Sequence, residues 1–114
     1  MPQNCAEFHI IGRVGKIDAR DKVTYVDVAA NYNRKDDDGQ WQSDTHWNRV
    51  TCFSRTAEKV ARSGKGDLVR IIGRVRQSSY EDAGAVHYGT DLIADDYSVI
   101  ARRGEAAGED DGGE

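Results

Sequence analysis

Two glycines fall in the middle of stretches that otherwise read as β-strand. Gly12 interrupts the β-rich run 6–14, and Gly73 interrupts a second run, 68–80. Glycine weakens a flat strand, so its presence mid-strand marks a sharp bend or a close backbone approach. Two such points in one small chain favour a closed, coiled barrel over an open sheet, and 114 residues leave room for one domain and a modest core.

The rest of the chain fills in that barrel. After Gly15, residues 16–20 continue the first strand, and Asp21-Lys22 turns into a second strand over 23–33 with Val26 and Val28 facing inward. Residues 34–45 form the polar loop of a long hairpin, centred on Asp36-Asp37-Asp38-Gly39. That acidic run lacks the spaced ligands and terminal glutamate of a calcium loop and reads as a solvated turn. Residues 46–53 alternate, placing Trp47, Arg49, Thr51 and Phe53 on one face and Asn48, Val50 and Cys52 on the other. The only helical candidate is 56–62, with Ser54 or Thr56 as its cap and Ser63-Gly64-Lys65-Gly66 as its stop. A fourth strand over 68–80, a turn at 81–84 and a fifth strand over 86–94 follow, with a short apolar segment at 97–100. The order β-β-β-α-β-β is that of the OB-fold, an all-β five-stranded barrel with one short helix between strands three and four.

Charge at first argues against nucleic acid, since the net charge is −4. Five of the 20 acids lie in residues 104–114, however, which leaves 15 against 16 basic residues in the body. Residues 1–103 are therefore read as the folded domain and 104–114 as a short, acidic, disordered tail. Any positive surface has to come from local clustering. Cys5 and Cys52 stand alone, Cys52 partly buried, and the three histidines are scattered. No metal, cofactor or disulfide is expected, and a reducing, cytoplasmic and nucleoid-associated setting is. Neither a signal peptide nor a membrane span is expected, and no paired-carboxylate, nucleophile–base or phosphate-loop pattern suggests an enzyme.

An aromatic, a cation, a hydroxyl and a second aromatic on one strand face make a poor core and a good surface for unpaired bases. Every base offers a flat face to a ring, and arginine binds phosphate or stacks. In order and spacing, Ile10-Ile11-Gly12-Arg13-Val14-Gly15, Val26-Asp27-Val28-Ala29, Thr45-His46-Trp47-Asn48-Arg49-Val50-Thr51-Cys52-Phe53, Ile72-Gly73-Arg74-Val75-Arg76 and Tyr88-Gly89-Thr90-Asp91-Leu92-Ile93-Ala94 resemble the bacterial single-stranded DNA-binding protein family. The resemblance covers residues 6–100. It implies an OB-fold that binds single-stranded DNA as a homotetramer or homodimer, with strand one as a pairing edge, during replication, recombination or repair. The family's stacking rings map onto Trp47, Phe53 and Tyr80. A further family tryptophan falls at Asn33 or Arg34, beside Tyr32, and Trp41 on the hairpin loop offers a substitute ring. Arg49, Arg13, Lys16, Arg34, Arg70, Arg74 and Arg76 are the expected phosphate contacts. The sequence ends on Glu109-Asp110-Asp111-Gly112-Gly113-Glu114, without the apolar aromatic by which family members dock partner enzymes, so docking by that route is not expected. Two alternatives stand beside this reading: a primosome-type accessory protein that binds single strands and helicase partners, and an OB-fold interaction module without nucleic-acid binding.

Overall fold

The computed structural model describes residues 4–104, so the acidic tail expected from Glu105 onward lies outside the described residues. Five strands and one helix appear in the expected order: β1 (Glu7–Ala19), β2 (Thr24–Lys35), β3 (Trp41–Cys52), α1 (Ser54–Ala61), β4 (Leu68–Asp82) and β5 (Ala85–Ala101). They close into a barrel in the spatial order β1-β2-β3-β5-β4, which is the OB-fold. Strand β1 serves both halves of the barrel. Its first half, from Glu7 to Arg13, pairs with β4, and its second, from Arg13 to Ala19, pairs with β2. The β3–β5 seam is parallel and short, joining Val50 to Leu92 and Thr51 to Ile93.

Alternation sorts the core from the surface. Val26 and Val28 on β2 and Val50 and Cys52 on β3 are fully buried with Val14, Val69, Ile71 and Tyr97. Helix α1 turns Thr56 and Val60, one turn apart, onto this core. Burial of Tyr97 leaves its hydroxyl needing a partner, which Ser63 Oγ supplies at 2.8 Å. Cys52 is fully rather than partly buried, and burial pushes its thiol up to about 11, so it behaves as a small apolar group.

The two mid-strand glycines mark close approaches. A Cβ on Gly12 would overlap the Ala29 carbonyl oxygen, and one on Gly73 would overlap that of Ile93.

Several boundaries differ from expectation: β2 runs on to Lys35, and β4 continues through Glu81 and Asp82, leaving Ala83-Gly84 as the turn. The largest shifts have a physical reason. Strand β3 begins at Trp41, because the β2–β3 ladder continues unbroken to Lys35–Trp41. The loop is then only 36–40, and the Asp36 carboxylate is committed to it, accepting from the Asp38 and Gln40 N–H groups at 3.0 and 2.8 Å. Strand β5 runs through to Ala101 without a break, since a bulge opposite Ile72 and Gly73 absorbs Asp95 and lets pairing resume at Asp96. Phe53 leaves the strand to become the N-cap of α1, so neither Ser54 nor Thr56 holds that position. Thr56 acts from inside the first turn, its Oγ1 accepting from the Phe53 N–H at 3.1 Å.

Ser54, just after that cap, has φ of 50°, where an L-residue is disfavoured by about 1–2 kcal/mol. Ser54→Gly is expected to raise stability by about 1 kcal/mol after allowing for the freer unfolded chain, measured as a higher urea midpoint at unchanged slope.

Candidate nucleic-acid interface

Strand register builds the outer face of β1–β2–β3 row by row. Arg13, Ala29 and Trp47 form one row, Lys16, Asp27 and Arg49 the next, and Asp18, Tyr25 and Thr51 the third. Directly paired residues share a face, so these nine positions make one continuous outer surface. The β3–β5 seam extends it: Thr51 adjoins Ile93, and Ile93 pairs with Arg74 on β4.

Trp47 is 61% exposed, yet its ring is supported from below. Ala29, opposite it on β2, is too small to fill the row, so the indole reaches across to β1. There Gly15 occupies the bulge between Val14 and Lys16, and a Cβ on Gly15 would land in the six-membered ring of Trp47. The outer end of the six-membered ring therefore packs closely on the Gly15 backbone while most of the indole remains open to solvent. Gly15→Ala is expected to tip the indole and weaken oligo-dT binding by about three- to tenfold, a partial loss of one stacked base, with the melting temperature nearly unchanged because the ring's free end can yield. Titration of the variant with oligo-dT, beside its thermal melt, checks this.

Arg49 lies beside Trp47 on the same strand face. Its Nη2 donates to Asp18 Oδ2 at 3.1 Å, and its guanidinium sits 4.5 Å from the Tyr25 ring centre. Arg20 also donates to Asp18 Oδ2, at 2.9 Å, and approaches the same ring at 5.1 Å. The Arg20 hydrogen bond, with the charges of Arg20 and Arg49, outweighs desolvation and holds the Asp18 carboxyl below the usual carboxylate range, so it is ionised at neutral pH.

The other candidates separate into two groups. Trp41, 70% exposed, shares the outer face of the hairpin with Trp47, and Lys35 Nζ stands 5.9 Å from its ring. Phe53, 44% exposed, follows at the end of β3. Tyr80 is exposed on the outer side of β4 and stacks on His87 at 5.2 Å. Tyr32 and Arg34 take the opposite parity on β2 and so lie on the other face of the hairpin from Trp47. Tyr32 leans on His46 at 4.9 Å over a cleft of about 350 Å³ lined by Phe8, Ile10 and Leu92, and Arg34 Nε binds Asp44 at 2.7 Å. Placing Tyr32 next to the missing tryptophan's position put it near the stacking face in sequence, but strand alternation turns it away.

The cations are less free than their number suggests. Arg74 is paired with Asp95 at 2.7 Å and Arg76 with Asp91 at 3.2 Å. Arg13 donates to the Gly66 carbonyl at 3.1 Å, and Arg70 to His9 Nε2 at 3.1 Å. Of the seven expected phosphate contacts, Lys16 alone makes no hydrogen bond or ion pair among the described residues. Gly15, Asp18 and Tyr25 were absent from the candidates drawn from sequence. Strict alternation with Val26 and Val28 was the available signal for Tyr25, whereas nothing local marks Asp18 as a partner of Arg49.

A closed five-stranded barrel in this strand order, with one helix between β3 and β4, defines an OB-fold protein. The chain belongs to the single-strand binding protein family, whose model matches residues 5–100. It is similar to the single-stranded DNA-binding protein of Xanthomonas axonopodis pv. citri, at 34% identity over 85 residues, covering 73% of this chain and 47% of that protein. Single-stranded DNA-binding protein 2 of Streptococcus agalactiae is 34% identical over 86 residues, covering 75% of this chain and 64% of the relative. The chain thus spans about half to two thirds of these relatives' length. Among solved structures, the Plasmodium falciparum SSB complex with ssDNA superposes with a TM-score of 0.68 at 20% identity, covering 88% of this chain and 98% of that one, a likeness of fold.

Proposed function

We propose that the chain binds single-stranded DNA without sequence preference and protects it during replication, recombination or repair. The observation that carries this reading is Trp47, an indole packed against the Gly15 backbone yet largely exposed, next to a guanidinium on the same strand. In this reading Trp41, Trp47, Phe53 and Tyr80 receive bases. Arg49, Arg13, Lys16, Arg70, Arg74 and Arg76 meet phosphates, several of them by exchanging a carboxylate for a phosphate. Tyr32 and Arg34 serve only a strand that passes round the hairpin edge. The protein acts by binding, without a chemical step, through residues 1–103, in the cytoplasm. Among the described residues no helix is long and apolar enough to cross a membrane.

Assembly of like copies fits a different stretch of β1. Pairing of β1 with β2 begins only at Arg13, so the stretch from Glu7 to Gly12 keeps one open edge, with Ile11 half exposed. An open edge of this kind invites a second strand, and we take the β1 of another copy to supply it.

Anisotropy of a fluorescent dT oligonucleotide, with duplex DNA as competitor, tests the function. Saturable binding that weakens with salt and resists duplex competition is expected. No rise in anisotropy at stoichiometric protein overturns the reading.

A further inference from the structure

One carboxylate oxygen on the outer face gathers two guanidiniums. Asp18 Oδ2 accepts from Arg20 Nη2 at 2.9 Å and Nε at 3.3 Å, and from Arg49 Nη2 at 3.1 Å. The three side chains are 31–59% exposed, and none belongs to the buried core. Asp18 and Arg49 come together from strands β1 and β3 across β2, with the Tyr25 ring of Asp18's own row beneath the Arg49 guanidinium. The barrel does not need this cluster to close. It bridges the second and third rows of the face that carries Trp47.

We infer that Asp18 is an internal competitor for DNA phosphate, an electrostatic brake built into the binding face; this rests on the reading that the face binds single strands. Guanidinium forks suit carboxylate and phosphate alike. With Asp18 in place, a phosphate reaching Arg49 must take over a donor already in use. Exposed ion pairs are weak, so the exchange is feasible. After the exchange, the Asp18 charge remains within a Debye length of the phosphate and repels it. Replacing the carboxylate with a neutral amide ends the repulsion and weakens the competition. The amide oxygen still accepts, but without a charge it holds Nη2 of Arg49 and the Nε and Nη2 of Arg20 less firmly than the carboxylate does, and the charge of the face rises by one. Arg49 stays poised meanwhile, because its contact with the Tyr25 ring does not depend on Asp18.

The test is Asp18→Asn in the full chain, with dT-oligonucleotide affinity measured by anisotropy across a salt series. The expected result is about fivefold tighter binding at low salt and a log K against log salt slope steeper by about 0.7, the increment for one more phosphate neutralised on a single strand. Asp18→Glu, which restores the carboxylate charge, is expected to lie closer to the wild type than to Asp18→Asn. In an Arg49→Ala background the gain from Asp18→Asn shrinks. Glu58→Gln, which removes an equal charge from the exposed side of α1, gives no gain and separates the local effect from net charge. If Asp18→Asn alters the thermal melt, Asp18→Ser is read in its place. Wild-type binding with an equal or weaker Asp18→Asn overturns the inference and leaves the parent reading standing. A wild type that binds no oligonucleotide overturns both.

Discussion

Replacing Trp47 with alanine is expected to weaken binding of oligo-dT by about 1–3 kcal/mol, roughly fivefold to 150-fold, while the barrel stays folded. The separation of the two effects is the point. Trp47 sits outside the core, 61% exposed, and touches the fold mainly through Gly15 and the row of Ala29. Its loss removes a stacking surface but opens no cavity, so the stability change is expected to stay within about 1 kcal/mol, near the range for surface substitutions. Trp47→Phe, which keeps a smaller ring, should fall between wild type and alanine. Affinities from anisotropy and midpoints from thermal melts, taken on the same preparations, check both halves.

Gly73→Ala is expected to have the opposite signature, a large loss of stability. Its added carbon would overlap the Ile93 carbonyl oxygen and approach Phe8 Cε1 to 2.8 Å. Backbone cannot swing aside as the end of a side chain can. The clash falls where β5 bulges against β4, at a β4 residue that also pairs with Phe8 on β1, so relief requires two ladders to separate. A cost of at least about 3 kcal/mol follows, against a total of about 5–15 kcal/mol for a domain, and the melting temperature should drop by on the order of 15 °C. Gly64→Ala supplies the control: nothing lies within 4 Å of its Cβ position and its φ is not in the left-handed region, so its melt should stay close to that of the wild type.

Much of the barrel was legible because the interior enforces alternation. Val26, Val28, Val50 and Cys52 face inward in the structure as the sequence pattern requires, and the same parity puts Trp47, Arg49 and Thr51 outside. Gly12 and Gly73 were readable for a related reason, since few other causes place glycine mid-strand. The far half of the β2–β3 hairpin was not legible. Both of its faces are polar or exposed from Asn31 to Lys35, so no buried side imposes a period, and Trp41 reads as loop. Asp95-Asp96 hid the continuity of β5 because a bulge breaks the pattern at that point.

Of the candidate site, the outward parity of Trp47 and Arg49 was legible, while the far-hairpin rings and the state of the charges were not. Which residues are cationic is written in the chain; which of them are already engaged is not. Asp18 and Arg49 are 31 residues apart, and Arg74 and Asp95 are 21 apart. Such pairs are set by register between strands, which sequence spacing does not reveal. The near-neutral body of the chain thus resolves, on its surface, into arginines already engaged: Arg74 and Arg76 each with one aspartate, Arg20 and Arg49 sharing Asp18. In the proposed function, binding DNA is an exchange of partners.

The most direct measurement uses Trp41→Phe, which leaves Trp47 as the sole tryptophan, titrated with oligo-dT while anisotropy of a labelled oligonucleotide reports occupancy in parallel. The expected outcome is that indole emission falls in step with occupancy and recovers when salt releases the strand. An emission that stays constant while the oligonucleotide is bound would show that the bases settle elsewhere and that the Gly15-backed indole is not the platform.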